Sequence, residues 1–550
     1  MKKFIITYKC GSQIVTSSEK ENSFYSLDIT DTAERFTVVL KPKKTFELVD
    51  FDVEMSYEFS EGDKFFCAGY QSWTLTKERT KNDIQKGTIK LANIHKKVKH
   101  IASMTCDERM VEYTGIPGEF HSHGYTYIRN GESMKLWGSL CEETGYTLFK
   151  VKMNDNRFIY HKDVLGKFVT EDYKVFDIVY FEGGYDEVFD KYFGMFKMPE
   201  TRKGMMSGYT SWYNYFQNIN EEIILRDLNG LDPVKEDVSI FQIDDGYETF
   251  VGDWLDPNPA RFPNGMGYIA DKIHEKGYKA GIWLAPFSCQ KVSRTAKEHP
   301  EWLIKDENGK PLQGVLAWGG AYILDIYNEG ARNYLKEVFD TVLNVWGYDM
   351  VKLDFLYSQC IYPRNGKCRG EIMRDAMLFL RELVGDKLLL GCGVPMSACF
   401  GLVDACRISC DVDLTYKGKI YNFLEVSPEI LSAQSAINNS IFRRHLNGRV
   451  FMNDPDVFFL RNNNLKFTEE QKLLLAKINN LFGNVLFVSD DAGDYDEKQM
   501  DYLRKFFKKT DEKVIMAEYT DDENISIITE LDGKQKEFSF NIKKGTVTKQ

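Results

Sequence analysis

The sequence predicts a multidomain protein of mixed α/β and all-β class: a central (β/α)8 TIM barrel with an antiparallel β-sandwich before it and a small antiparallel β domain after it. Three observations carry that reading. Up to about residue 195, short runs alternate apolar and polar residues between turn residues, the period of half-buried strands. After Met198-Pro199 the pattern changes to short apolar runs alternating with helical periodicities, as parallel strands with helical crossovers require. Beyond Gly493 alternation returns, with Asp532-Gly533 as a hairpin signal. These changes divide the 550 residues into a sandwich domain at 1–195, a barrel at 196–493 and a C-terminal β domain at 494–550.

In the first domain the clearest strands are 148–153 (LFKVKM) and 175–181 (VFDIVYF), the latter closed by Gly183-Gly184. In the barrel, the strand candidates are 206–209, 240–243, 280–284, 350–355, 388–391, 407–410, 450–452 and 485–488. Eight parallel strands are the count of a closed barrel. Helical spacing links Leu335, Val338, Phe339, Val342 and Trp346 before Gly347, and Thr468 with Gln471 forms a capping box for a run ending at Gly483. The stretch from 284 to 350 is long enough to hold an inserted loop, whereas that from 391 to 407 is very short. In the last domain a helix at 497–509 precedes strands at 513–519, 525–531 and 537–542.

Composition narrows the partners. Lys plus Arg number 71 against 82 Asp plus Glu, a net charge of −11, which argues against nucleic acid or an anionic membrane as partner and suits an uncharged or cationic small molecule. The N-terminal MKKFIITYKC lacks the apolar core of a secretory signal, and the longest uncharged stretch, 388–403, is too short to span a bilayer. Eleven scattered cysteines without a CxxC pair indicate reduced thiols and a cytoplasmic protein. His121 and His123 in FHSHG share a strand face, but no Cys, His or Glu cluster joins them, so no metal site is expected.

Barrel enzymes keep their chemistry at the C-terminal ends of the strands. There the sequence places Asp244 and Asp245 (FQIDDGY), Lys352 and Asp354 (VKLDF), GCGVP, Arg407, Asp411 and Asp413 (RISCDVD), and Asp454 and Asp456 (MNDPD). Helix capping accounts for Asp454 and Asp490, since Asp is a favoured N-cap. It does not account for Asp354, which interrupts an apolar run where an unpaired carboxylate is costly. Arg407 has its own bland reading, as a partner for Asp404 or Asp413. Paired carboxylates are the machinery of glycoside hydrolysis. Trp283 in GIWLAPF, Trp212 and Tyr213 in GYTSWYNYF, and Trp73 in GYQSWT supply rings on which a sugar stacks.

Taken in order, FQIDDGY, FPNGMGYIADKIHEKGYKAGIWLAPF, HPEWLIKDENGKP, VKLDFLY, GCGVP, RISCDV and NDPDVFFLR resemble glycoside hydrolase family 36 α-galactosidases over residues 207–461, and GYQSWT extends the likeness into the first domain. The resemblance implies an N-terminal β-supersandwich and a retaining exo-α-galactosidase that needs no metal or organic cofactor. It implies Asp354 as nucleophile and Asp411 as acid/base, with Lys352, Asp244 and Asp245 on sugar hydroxyls. Trp283 would border the ring, Cys392 and Arg407 would lie near the 2-hydroxyl, and Trp73 would close the pocket, while Trp212, from its place after strand one, is expected to contact substrate. The implied partner is a galactose-containing oligosaccharide; homo-oligomerisation is left open. The chain departs from the family where Ser409-Cys410 stand in place of the usual Gly-Pro before the acid/base. That departure admits an α-N-acetylgalactosaminidase as the alternative, or a galactoside-binding protein without catalysis.

Overall fold

The computed structural model describes residues 2–88, 103–418 and 427–549. Its first part is a pair of seven-stranded antiparallel sheets. One is ordered Gln13–Ser17, Lys3–Cys10, Phe46–Ser56, Arg157–Asp163, Tyr146–Lys152, Glu119–His123, with Lys167–Val169 also paired to Phe46–Ser56. The other is ordered Tyr25–Asp31, Arg35–Pro42, Tyr173–Gly183, Ser133–Ser139, Tyr125–Asn130, Lys64–Cys67, Lys77–Arg79. Alternation builds the core between them: Phe4, Ile6 and Tyr8 of one strand are at most 4% exposed and meet Phe51, Val53 and Phe176. The second sheet is buried on its other side too. Phe66, Tyr125 and Tyr127 belong to the apolar cluster that runs through the barrel, and buried His445 accepts or donates to Tyr125 Oη at 2.7 Å and Tyr185 Oη at 2.9 Å. This docking carries the 69–76 loop of the sandwich to the barrel's mouth.

The barrel sheet is parallel throughout, and its strands are Met206–Thr210, Ile240–Ile243, Lys279–Leu284, Met350–Leu353, Leu388–Gly391, Ala405–Arg407, a seventh in two pieces, and Val485–Val488. The seventh explains why the sheet counts nine strands. Met452–Asp454 pairs with strand six and Val457–Phe458 with strand eight, so the ring runs through Pro455 and Asp456. Proline has no N–H for the ladder, and Asp456 takes a φ of 78°, so the break falls where the backbone cannot pair. The expected strands at 407–410 and 450–452 are therefore displaced by about two residues. Apolar runs mark burial but not the point where the sheet partner ends: Ile408, Cys410 and Val450 are buried outside the strands.

The expected insertion is a three-stranded sheet, Ser288–Gln290, Gln313–Val315 and Ala321–Ile323, standing over the strand ends. The crossover after strand five has only a short turn, Met396–Cys399, in place of a helix. Thr468 and Gln471 form the capping box: Gln471 N donates to Thr468 Oγ1 at 3.2 Å, and Thr468 N donates to Gln471 Oε1 at 3.0 Å. The C-terminal sheet has four strands, Lys513–Tyr519, Asn524–Leu531, Lys534–Asn541 and Thr546–Lys549. The last lacks a sequence signal, being four residues without a large apolar side chain. No helix among the described residues is long and apolar enough to cross a membrane.

Candidate active site

Asp354 follows strand four directly. Its N–H still donates to Leu284 O at 2.9 Å, but the next residue, Phe355, adopts the left-handed φ of 53° and turns the chain out of the sheet. The carboxylate is held on both oxygens, by Phe355 N at 2.7 Å and by Trp283 Nε1 at 3.2 Å. Burial pushes its pKa up, Lys352 pulls it down and Asp411 pushes it up again. The charge of Asp411 is thus felt at Asp354.

Asp411 is four residues past strand six, and Arg407 Nη1 donates to its Oδ1 at 3.0 Å. Its side chain is 43% exposed, whereas Arg407 beneath it is 4% exposed. The same guanidinium meets Asp454 Oδ2 at 3.1 Å and Asp456 Oδ1 at 3.0 Å. Three carboxyl groups around one cation leave an excess of negative charge, and Asp456 absorbs it. Burial, with Asp411 and Asp454 nearby, raises its pKa to about 7 against the pull of Arg407. Tyr213 Oη donates to it, as does Val412 N at 2.9 Å.

Across the barrel, Lys352 Nζ donates to Asp244 Oδ2 at 2.8 Å. Burial is the largest single influence and opposes its charge, but Asp244, Cys392 and Asp354 together raise its pKa. Asp245 accepts from Gln217 Nε2 at 3.0 Å and from Trp318 Nε1 at 2.9 Å. Burial raises its pKa, and burial and then Asp245 push that of buried Glu248 well above the usual carboxylate range. Cys392 is 1% exposed and its thiol pKa is raised by burial and then by Asp354. Trp73 leans its ring edge-on against Phe355 at 5.4 Å and Tyr357 at 5.9 Å. Trp212 stands at the end of strand one against Phe216 at 5.2 Å; among the described residues no hydrogen bond joins its indole to the carboxylates.

The structure thus gathers Asp354, Asp411, Lys352, Asp244, Asp245, Trp283, Cys392, Arg407 and Trp73 into one mouth. Three readings are corrected. Asp454 and Asp490 cap no helix: Asp454 pairs with Arg407, and Asp490 pairs with buried Arg461 while accepting from Leu460 N at 2.7 Å. Arg407 pairs with neither Asp404, which binds Arg381 at 2.9 Å, nor Asp413, whose Oδ1 accepts from Leu414 N at 2.6 Å. His121 and His123 do gain a third group, since both Nε2 atoms lie at 2.7 and 2.6 Å from one oxygen of Asp107, whose other oxygen accepts from Tyr113. These are hydrogen-bond distances that close the cluster on itself. Sequence reasoning missed Trp318, whose ring lies 6.0 Å from Trp283 and 5.1 Å from Phe355. Its only signal is a Trp before Gly319-Gly320 in an insertion long enough to fold back over the strand ends.

The chain matches the Melibiase family model over residues 211–378, a stretch that holds Asp244, Asp245, Trp283, Lys352 and Asp354. It is 32% identical over 174 residues to the A type blood α-D-galactosamine galactosaminidase of Flavonifractor plautii, covering 28% of this chain and 16% of that one. It is 28% identical over 160 residues to α-galactosidase 1 of Pediococcus pentosaceus, covering 27% and 21%. The aligned stretches are thus less than a quarter of those relatives' lengths. In three dimensions it superposes on the Thermus thermophilus α-galactosidase TtGalA, solved with p-nitrophenyl α-D-galactopyranoside, with a TM-score of 0.72 at 24% identity, over 93% of this chain and 98% of that one. The carboxylate pair at the ends of strands four and six, the ordered motifs and these likenesses agree: residues 211–378 match the Melibiase family, within a fold shared with solved α-galactosidases.

Proposed function

We propose that the protein is a retaining exo-α-galactosidase that removes terminal α-linked galactose from oligosaccharides. The observation that carries this is Asp354, buried, fixed on both oxygens by N–H donors at the end of strand four, with the charges of Lys352 and Asp411 acting on it. In the first step the Asp354 carboxylate attacks the anomeric carbon, the glycosidic C–O bond breaks, and Asp411 gives its proton to the departing oxygen. In the second step Asp411, now ionised, takes a proton from water, the water oxygen attacks the same carbon, and the bond to Asp354 breaks. Two inversions return the α anomer.

Each neighbour supports a part of this. Trp283 Nε1 and Lys352 favour the ionised nucleophile. Arg407, pinned by Asp454 and Asp456, fixes the direction of the half-exposed Asp411. Asp244 and Asp245 present carboxylate oxygens, backed by Lys352, Gln217 and Trp318, as acceptors for sugar hydroxyls. Domain 1–195 lends Trp73 as a lid, 196–493 performs the chemistry, and 494–550 packs on the helices Ala433–Phe442 and Glu469–Phe482 and on the sandwich. Eleven free thiols, ten of them buried, suit a reducing cytoplasm.

Galactose is favoured over N-acetylgalactosamine on one ground. Ser409 and Cys410 are both wholly buried and turned to backbone carbonyls, Ser409 Oγ to Pro455 O at 3.0 Å and Cys410 Sγ to Ile430 O at 3.2 Å. Neither side chain therefore projects into the mouth, which supports the galactose reading. A panel of aryl α- and β-glycosides with Asp354→Ala as control tests the proposal. Turnover of the α-galactoside, abolished in the variant, is expected; undiminished turnover by Asp354→Ala refutes the mechanism, and preference for the N-acetylated sugar refutes the specificity.

A further inference from the structure

Helix Ala433–Phe442 ends beside the 69–76 loop, and the residue that follows it, Arg443, is only 2% exposed. Among the described residues it has no carboxylate partner. Its guanidinium donates only to main-chain carbonyls: through Nη1 to Ser72 O and, at 2.6 Å, Ile408 O, and through Nη2 to Gln71 O at 2.9 Å and Thr74 O at 3.0 Å. A buried cation without a counter-ion is costly, and burial lowers its pKa to about 10. Four carbonyl dipoles are what offset that cost.

Three of those carbonyls belong to residues on either side of Trp73; the fourth belongs to Ile408, next to Arg407. The helix strengthens the grip one turn earlier. Asn439 Nδ2 donates to Thr74 O at 3.2 Å and its Oδ1 accepts from Thr76 N at 2.9 Å, while Asn438 Nδ2 donates to Thr76 O at 2.7 Å. The loop is wrapped so closely that a Cβ on Gly69 would come within 2.6 Å of Thr74 O and 2.9 Å of Arg443 Nη2.

We propose that Arg443 is a positioning residue that gathers the carbonyls of Gln71, Ser72, Thr74 and Ile408, and so seats the Trp73 indole against Phe355, beside Asp354, as the lid of the sugar pocket. This rests on the α-galactosidase reading, so its test pairs kinetics with a measurement that needs no turnover. Arg443→Met is compared with wild type, Trp73→Ala and the double variant on 2,4-dinitrophenyl α-galactoside, whose leaving group needs little proton donation. Deuterium exchange of the 69–76 amides is followed in the same proteins.

The expected result for Arg443→Met is a KM raised about 10-fold, with kcat changed less than about threefold, because the loss falls on how the sugar is held. The double variant is no worse than the poorer single one, and exchange quickens at 69–76 but not in the strands 240–243 and 350–353. Arg443→Lys, which keeps the charge but not the fork of donors, falls between. If Arg443→Met does not fold, Asn439→Ala and Arg443→Lys carry the test, with KM expected to rise about threefold. Wild-type KM and unchanged loop exchange in these variants overturn the proposal, as do additive losses in the double variant. If wild type itself turns over no α-galactoside, the functional reading fails, and faster loop exchange in Arg443→Met still decides for the clamp.

Discussion

Replacing Gly393 by alanine tests how closely the lid must fit. Gly393 has a φ of 55°, and a Cβ there would lie 2.9 and 3.1 Å from Trp73 Cζ2 and Cη2 and 3.2 Å from Phe355 N. Ordinary contacts of this kind are 3.4–4 Å. The backbone nitrogen cannot recede, because its N–H holds Asp354, so the indole must withdraw by about half an ångström or more. Misplacement of about 1 Å near reacting groups costs on the order of 100-fold, so kcat/KM is expected to fall about 10-fold or more. The left-handed alanine adds a stability loss of about 1–2 kcal/mol. The assay is initial-rate hydrolysis of p-nitrophenyl α-galactoside alongside a chemical denaturation curve. Gly391→Ala is the control, since its Cβ would meet nothing nearer than 3.4 Å, and it should stay within about twofold of wild type. If Gly393→Ala also stays within twofold, the Trp73 ring is not the close lid described.

Two further outcomes follow from the charges. Trp318→Phe keeps the ring but removes the N–H on Asp245; a hydrogen bond to a charged group is worth about 1.5–3 kcal/mol, so kcat/KM should fall about 10- to 100-fold, and an unchanged value would remove Trp318 from the site. Asp456 holds a proton in the folded protein up to about pH 7, whereas an unfolded aspartate loses it near 4. Its contribution to stability is therefore present at low pH and declines as pH rises from about 4 to 7. Above 7 its charge competes with Asp411 for Arg407, so activity should decline on an alkaline limb near that pH. Asp456→Asn should move the limb upward, and an identical pH–rate profile in the variant would contradict the assignment.

Much of this site is legible in the sequence because strand ends in a parallel barrel converge, so residues distant in the chain but similarly placed in their units meet. Asp354 is the clearest case: a carboxylate between Leu353 and Phe355 has no structural use in an apolar run. What escaped detection came from outside that periodicity. Trp318 reaches Asp245 from an insertion with its own small sheet, and Arg443 reaches the lid from a helix end with no motif. Asp454 and Asp490 show the same limit from the other side: a strand-end Asp looks like a helix cap until the buried Arg407 and Arg461 are seen beside it. Asp107 meets two histidines across loop residues that carry no repeat to align them.

The central claim is that Asp354 and Asp411 act by double displacement on an α-galactoside. Proton NMR of the sugar released in the first minutes, before the anomers equilibrate, tests it directly. α-Galactose as the first product, with none formed by Asp354→Ala, is the predicted result. β-Galactose as the first product would contradict it.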